Sequence, residues 1–273
     1  MNNGLRLKTL SRDFQKAIYE NKLKRQNRVE IRTCLSFLLS VNGLRRSSVA
    51  VVLGNTSSGK STLVRSIIAD VLTNNKTTKV SCFLSEETVS EYKTELFKAF
   101  KNTEFSDRMF FYSEQDFDSE IDKANSLTKA FSDPAEVLIY DNITTSSLYS
   151  SKTPQDQTDF SNRLKAIAKK TNKALICVAH TNHTEKNGSK LVSSSDVRGS
   201  KNISNIAEFF FINHQFSIGE SSLNFVEIEK HRGQSPEGKF FQLGFNRDTN
   251  LYESDFPISF QSFKECYKTR NKI

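Results

Sequence analysis

The chain has 273 residues, and its 36% hydrophobic and 26% charged residues exclude fibrous and wholly disordered proteins. Its longest apolar runs are far shorter than the roughly 20 residues that cross a bilayer, and its first residues lack the apolar core of a secretory signal, so we expect a cytoplasmic protein with no membrane contact. Its four cysteines lie far apart without a CxxC pair, so we expect neither disulfides nor structural zinc.

The N-terminal segment is strongly basic. Residues 1–48 hold 11 Lys and Arg against 3 Asp and Glu, a surplus of 8 that equals the net charge of the whole chain. Over residues 10–28 apolar residues recur three and four positions apart, which predicts an amphipathic helix within an N-terminal arm over 1–30. Such an arm suits a nucleic-acid backbone or an acidic face of a neighbouring subunit, and a solubilising tail is the alternative.

Short β-rich runs separated by helix-length segments follow the arm. The first five predicted strands cover residues 49–53, 80–84, 109–112, 137–140 and 174–179. Strands that alternate with helices in this way form a parallel sheet that is covered on both faces.

Three further strands are predicted over 209–212, 224–228 and 240–245, with little room for helices between them, so this end of the sheet is expected to be antiparallel. Residues 232–238, which contain Gly and Pro, favour a hairpin connection. The predicted fold class is therefore α/β, with a mainly parallel twisted sheet, antiparallel C-terminal strands and helices on both faces. The main domain is expected over 31–260, and a basic C-terminal tail over 261–273.

Two long polar connections are predicted, over 144–159 and 181–202. Loops of this length in a compact domain are usually functional or mobile. Their Ser, Thr, Asn and Lys content suits hydrogen bonding to phosphates.

A GxxxxGK[ST] motif lies between the first predicted strand and a helix-length segment. Its glycines let successive N–H groups and the helix N-terminus face phosphates. Lys60 would supply a positive charge to the β- and γ-phosphates, and Ser61 a hydroxyl to Mg²⁺. The predicted nucleotide-binding residues are Gly54, Asn55, Thr56, Ser57, Ser58, Gly59, Lys60, Ser61 and Thr62.

Carboxylates follow two other predicted strands. Asp141 comes directly after the strand over 137–140, as in a Walker B strand that brings a carboxylate beside magnesium, although a strand-end Asp also caps helices. Glu86 and Glu87 follow the strand over 80–84. Either can activate water, or both can serve as charges at the N-terminus of the next helix.

Seven short segments, taken in their order along the chain, resemble those of the RecA-type motor domain of the replicative helicase family. This family includes DnaB, the phage primase-helicases and the mitochondrial helicase Twinkle. The resemblance runs from about Thr33 to Tyr252 and implies a RecA-like P-loop NTPase core. It rests on Val41-Asn42-Gly43-Leu44, the motif over 54–61, Ser85-Glu86-Glu87, Asp141, Val178-Ala179-His180, Asp196-Val197-Arg198-Gly199-Ser200 and Glu229-Lys230-His231-Arg232-Gly233.

The resemblance implies a role for each matched residue. Glu86 corresponds to the water-activating glutamate and Asp141 to the aspartate beside Mg²⁺, whereas Glu87 has no role. His180 corresponds to a sensor of the γ-phosphate, which is Gln in DnaB-like members and His in phage-like ones. Without this context, a hydrogen-bonded structural histidine would be the better interpretation.

Lys230 and Arg232 match the family's KxR element, which reaches into the nucleotide site of a neighbouring subunit. Two residues apart on a strand, they would point the same way, and Arg232 would act as an arginine finger. A solvated strand end is the alternative.

The connection after His180 corresponds to the family's DNA-binding loop. Lys190 and Lys201 would hold successive phosphates of single-stranded DNA without reading bases. Arg198 is either a further DNA contact or part of a structural turn beside the nucleotide.

The predicted function is a motor that uses Mg²⁺ and ATP, or another NTP or dNTP, on single-stranded DNA. It would be a homo-oligomer, either a ring such as a hexamer or a helical filament, and most simply a helicase of a phage or mobile element in the host cytoplasm. The primase, zinc-binding or collar domain of larger members is not recognised, so a separate primase, loader or polymerase is an expected partner. The alternatives are a RecA/RadA-like recombination ATPase that coats single strands and promotes pairing, and a RecA-like ATPase of a signalling or packaging complex.

Overall fold

The computed structural model of the chain describes residues 30–100, 103–182, 191–199, 201–218, 221–231 and 238–270. The chain divides into two compact units, Met1–Glu30 and Ile31–Ile273. The predicted basic helix over 10–28, together with Lys190 and Arg232, lies outside the described residues. The domain boundaries inferred from the sequence stay predictions.

Strands and helices alternate through most of the described chain. The strands are β1 (Glu30–Ile31), β2 (Leu44–Arg45), β3 (Ser48–Gly54), β4 (Val80–Leu84), β5 (Met109–Ser113), β6 (Val137–Asp141), β7 (Ala174–His180), β8 (Phe209–Ile218), β9 (Ser221–His231), β10 (Lys239–Asn246) and β11 (Leu251–Ile258). The helices are α1 (Ser36–Leu39), α2 (Lys60–Asn74), α3 (Val89–Ala99), α4 (Glu120–Ser132), α5 (Ser147–Ser150), α6 (Pro154–Lys170), α7 (Asn202–Ile206) and α8 (Phe260–Arg270). Among these helices of the described ranges, none has the length and hydropathy that a membrane span requires.

One mixed sheet of nine strands organises the fold, in the order β11-β10-β9-β8-β3-β7-β6-β4-β5. The strands from β8 to β5 in this order are parallel to their neighbours. The pairs β8–β9, β9–β10 and β10–β11 are antiparallel. The chain is therefore an α/β protein with a mostly parallel mixed sheet, as the spacing of strands in the sequence predicts.

Alternate residues of β3 pack into hydrophobic cores on opposite faces of the sheet. Ala50 and Val52 belong to a core that includes residues of α2 and α3, whereas Val49, Val51 and Leu53 belong to a core that includes residues of α4 and α6. The whole strand is buried. Because helices cover both faces, the strand has an almost continuous apolar sequence rather than an alternating one.

The segment over 144–159 differs from expectation, since the prediction of a long polar loop there is wrong. It contains α5 and the first turn of α6. Thr153 caps α6 by accepting a hydrogen bond from the N–H of Asp156, and Pro154 occupies the first turn, where a helix needs no N–H donor. The polar residues of this segment are therefore helix-start signals.

Strand β11 is not predicted by the sequence pattern. It lies at the edge of the sheet, where no other described strand pairs with its outer side and Pro257 is tolerated. Only its first two residues, Leu251 and Tyr252, are buried. A strand of this kind lacks the apolar alternation by which strands are recognised.

Helix α8 lies within the segment for which a basic tail is predicted. Its Phe263 is fully buried, with its ring centroid 4.4 Å from that of Phe240 and 5.4 Å from that of Phe225. Phe260, near the start of the same helix, is 47% exposed. The aromatic ring of Phe263 therefore attaches α8 to strands β9 and β10.

Replacing Phe263 by Ala should lower the free energy of unfolding by about 3–5 kcal/mol, as for other buried phenylalanines. Phe260→Ala on the same helix should lower it much less, because that ring is already half in water. Urea denaturation followed by circular dichroism compares the two variants. Equal shifts of their midpoints would contradict the packing described for α8.

Candidate functional site

Neighbouring strands bring the predicted functional residues to one edge of the sheet. The strands β3, β7, β6 and β4 lie side by side and are parallel, so their carboxyl ends meet there. Gly54 pairs with His180, and Leu84 pairs with Asp141. Glu86 follows Leu84 by two residues. The sequence-predicted catalytic and nucleotide-binding residues, apart from the Lys230–Arg232 pair, are thus on or next to these strand ends.

The glycine-rich loop, residues 54–62, runs from the last residue of β3 into the first turn of α2. Gly59 has φ +84°, and a Cβ there would lie 2.5 Å from the hydroxyl oxygen of Tyr252. A Cβ at Gly54 would lie 2.8 Å from the carbonyl oxygen of Asn213. Both positions therefore require glycine for space, and Gly59 also for its backbone conformation. The N-cap residue of α2, Gly59, has no side chain to cap the helix, so the first N–H groups of α2 suit an anion.

Lys60 is almost fully buried at the first position of α2. Its Nζ donates a hydrogen bond to the carbonyl oxygen of Asn55 at 2.6 Å. Burial lowers the pKa of Lys60 to about 8, although the charges of Asp141 and Glu86 act in the opposite direction. An anion beside this ammonium would offset its desolvation, so the loop favours a negatively charged ligand.

Asp141 is a buried carboxylate at the end of β6. Burial, followed by the charges of Glu87 and Glu86, raises its pKa to about 7. Among the described residues, its Oδ2 has no hydrogen-bond partner. An unpartnered buried carboxylate oxygen fits a cation, since a positive charge would stabilise the ionised form.

The predicted metal ligands, Ser61 and Asp141, supply the oxygen donors that Mg²⁺ prefers. Within the described part of the chain, no group of three or more His, Cys, Asp or Glu side chains is arranged to hold a metal. Mg²⁺ in nucleotide sites is commonly bound by one or two protein oxygens together with the phosphates of the substrate, so such a group is not needed.

Glu86 and His180 are joined by a hydrogen bond of 2.9 Å between Oε1 and Nε2. The side chain of His180 is 12% exposed and that of Glu86 41% exposed, so the ring is held by the protein while the carboxylate faces solvent. The hydrogen bond from His180 is the main reason that the pKa of Glu86 is lowered. The N–H of His180 donates to Thr144 Oγ1, which fixes the end of the strand. Glu86 is therefore an ionised carboxylate that water can reach.

Glu87, the next residue, has a different environment. Its two carboxylate oxygens accept hydrogen bonds from Arg65 on α2 at 2.8 and 2.5 Å. The N-terminus of α3 is capped by Thr88, which forms a reciprocal capping box with Glu91, rather than by Glu86 or Glu87. The choice of Glu86 as the water-activating residue stays a prediction, but the two carboxylates have clearly separate partners.

Other contacts in the site involve residues to which the sequence assigns no individual role, such as Thr181, Thr145 and Ser85. Thr181 Oγ1 donates to Asn55 Oδ1 at 2.7 Å and joins the end of β7 to the glycine-rich loop. The hydroxyls of Ser85 and Thr145 lie 2.9 Å apart. The N–H of Ser85 donates to the carbonyl oxygen of Asp141 at 2.8 Å. In the sequence, the only sign that Ser85, Thr145 and Thr181 belong to the site is that they lie close to Glu86, Asp141 or His180.

Lys230, predicted to act on a neighbouring subunit, makes a contact within its own chain. Its Nζ donates to the carbonyl oxygen of Ser204 on α7 at 2.6 Å. The pairing of β9 with β8 shifts register between Phe210 and Phe211, which face Lys230 and Ile228. The shift lies just before Lys230, so it leaves untested the alternation assumed for Lys230 and Arg232. The roles of both residues in a neighbouring site stay predictions.

Two of the predicted DNA-binding residues are described, Arg198 and Lys201, and both are exposed. The N–H of Arg198 donates to the carbonyl oxygen of His180 at 2.9 Å, and Thr181 forms a β-bridge with Val197. The segment that carries Arg198 is thus attached by its backbone to the end of β7.

No protein-family model matches this chain, and no curated protein matches it. The interpretation of the site therefore depends on its own residues and their geometry.

Phosphate binding at the glycine-rich loop should weaken as the pH rises through about 8. The pKa of Lys60 in the free protein is lowered to about 8, and a bound anion raises it. Above pH 8, Lys60 must therefore take up a proton when the anion binds, and this weakens binding as the pH rises. The affinity for ADP in EDTA, measured by calorimetry, should fall above pH 8 by up to about tenfold per pH unit. Lys60→Ala should bind weakly and without this dependence. A wild-type affinity that is constant to pH 9.5 would contradict the assignment of Lys60.

Proposed function

We propose that the chain is a Mg²⁺-dependent NTPase with a RecA-like core that acts as a motor on single-stranded DNA. Its simplest form is an oligomeric replicative-type DNA helicase without a primase domain. The hydrogen bond between Glu86 and His180 carries the proposal. It joins a candidate base after β4 to a candidate sensor at the end of β7, across the strand that ends in Asp141.

The first step is binding of the nucleotide. Lys60 and the N–H groups at the start of α2 would hold its phosphates. Lys60 carries a positive charge, and the N-cap residue Gly59 has no side chain that would occupy the N–H groups. Asp141 and Ser61 would hold Mg²⁺, which supplies neutralisation of charge on the phosphate oxygens. The raised pKa of Asp141 and the lowered pKa of Lys60 support this step, because each buried group gains an opposite charge when the ligand is bound.

The second step is hydrolysis. Glu86 would accept a proton from a water molecule whose oxygen attacks the γ-phosphorus. The bond between that phosphorus and the oxygen that bridges it to the β-phosphate would break, which releases the nucleoside diphosphate and phosphate. Solvent exposure and ionisation of Glu86 suit it to this role. Glu87 is less suited, because Arg65 occupies both of its oxygens.

The third step is transmission to DNA. A change in the Glu86–His180 hydrogen bond on hydrolysis would act on the end of β7, whose carbonyl group binds the N–H of Arg198. Arg198 and Lys201 are exposed cations that could hold DNA phosphates. Arg232 of a neighbouring copy would complete the nucleotide site as an arginine finger, so the active form would be a ring or filament.

Strand displacement tests the proposal. With Mg²⁺ and ATP, the wild-type chain should separate a forked duplex and its ATPase should be stimulated by single-stranded DNA, whereas Lys60→Ala should do neither. Pairing of complementary strands on a filament, without displacement, would favour the RecA/RadA-like alternative. ATP hydrolysis that ignores DNA would favour a signalling or packaging ATPase. Absence of NTP hydrolysis with or without DNA would overturn the proposal.

Glu86→Gln should reduce the rate of ATP hydrolysis at least about 100-fold and leave nucleotide affinity nearly unchanged, since the amide keeps the size of the side chain but cannot accept the proton. Glu87→Gln is the matched control and should retain most of the activity. Steady-state ATPase and ADP binding distinguish the two variants. Near-normal turnover in Glu86→Gln with loss of turnover in Glu87→Gln would reverse the assignment of the two carboxylates.

A further inference from the structure

Asn213 is a buried polar residue of β8 at the end of an apolar run. It follows four apolar residues, 209–212, and is 2% exposed. Ile212 pairs with Leu53 of the parallel strand β3, so Asn213 lies level with Gly54, where the glycine-rich loop begins.

Asn213 contacts both ends of the glycine-rich loop. Its Nδ2 donates a hydrogen bond of 2.5 Å to the carbonyl oxygen of Ser58. Its own carbonyl oxygen lies 2.8 Å from the position of a Cβ at Gly54, and its Nδ2 lies 3.6 Å from that of a Cβ at Gly59. Asn213 therefore borders the start of the loop through its backbone and holds the Ser58–Gly59 end through its side chain.

The hydrogen bond also sets the direction of a loop N–H group. In a planar trans peptide, the C=O and the following N–H point in opposite directions. Because the carbonyl group of Ser58 points to Asn213, the N–H of Gly59 points away from Asn213. A phosphate in the glycine-rich loop would accept hydrogen bonds from such backbone N–H groups.

Stability alone does not explain an asparagine at this position. Only the amide nitrogen can donate to the Ser58 carbonyl group, so the oxygen faces the other way, and within the described residues this buried Oδ1 has no partner. An unpaired buried oxygen is unfavourable, so the contribution of this asparagine lies in the hydrogen bond that its Nδ2 donates to the Ser58 carbonyl group. The amide therefore serves the loop rather than the core.

We propose that Asn213 is a positioning residue for phosphate binding. It holds the Ser58–Gly59 peptide so that the N–H of Gly59 is oriented for a diphosphate or triphosphate before the ligand arrives. The inference rests on the proposed nucleotide-binding function and extends it to a residue outside the loop motif.

Two substitutions test the inference. Asn213→Leu removes the donor while filling the space, and Asn213→Asp replaces the donor by an oxygen that repels the Ser58 carbonyl group. Each should raise the dissociation constant for ADP with Mg²⁺ at least tenfold. In ATP hydrolysis, KM should rise more than kcat falls, because the N–H of Gly59 contacts phosphate in both the ground state and the transition state.

Asn224→Leu is the matched control, because Asn224 is also buried and its Oδ1 also has no partner in the described chain. Its thermal midpoint measures the effect of changing a buried asparagine of the same sheet, and its ADP affinity should stay within about twofold of the wild type.

If Asn213→Asp does not fold, Asn213→Leu decides the result. A folded Asn213→Leu protein with wild-type affinity and KM would overturn the inference. A wild-type protein that binds no nucleotide would instead overturn the proposed function on which it rests.

Discussion

The alignment of β3, β7, β6 and β4 determines where every group of the candidate site lies. These strands are buried on both faces, so their register is fixed by packing, and a slip of one residue would turn the core side chains of a strand to the wrong face. The same register places Gly54 beside His180 and Leu84 beside Asp141. Polar residues that follow the apolar runs are then brought together without any attraction between them. The geometry of the site is thus a consequence of how the hydrophobic cores pack.

Charges in the site are held in two different ways. Lys60 and Asp141 are buried, and burial moves their pKa values to about 8 and about 7, so the free protein disfavours both charged forms. Glu86 is exposed, and its hydrogen bond with His180 lowers its pKa. A ligand that brings both an anion and a cation would relieve the two buried groups together. Glu86 needs no such partner, which suits a group that exchanges protons with water.

Local patterns in the sequence were sufficient for much of this description. The strands before the site, the glycine-rich loop and the carboxylates after β4 and β6 are visible because each is a short run followed by a characteristic residue. Asn213 and Thr181 were not visible, because their partners Ser58 and Asn55 are 155 and 126 positions away in the chain. The register shift of β9 next to Lys230 depends on its pairing with β8, which no local pattern records.

Tyr252, on the edge strand β11, lies so close to Gly59 that a Cβ there would be 2.5 Å from its hydroxyl oxygen, although the two residues are far apart in the sequence. The N–H of Tyr252 also donates to Ser66 Oγ on α2, one turn after the glycine-rich loop. During synthesis, a ribosome releases the loop long before it releases β11. A nascent chain can therefore form the parallel strands early, but the Tyr252 side chain that lies next to Gly59 is missing until residue 252 has emerged. The order of translation thus delays completion of the site until β11 has been made.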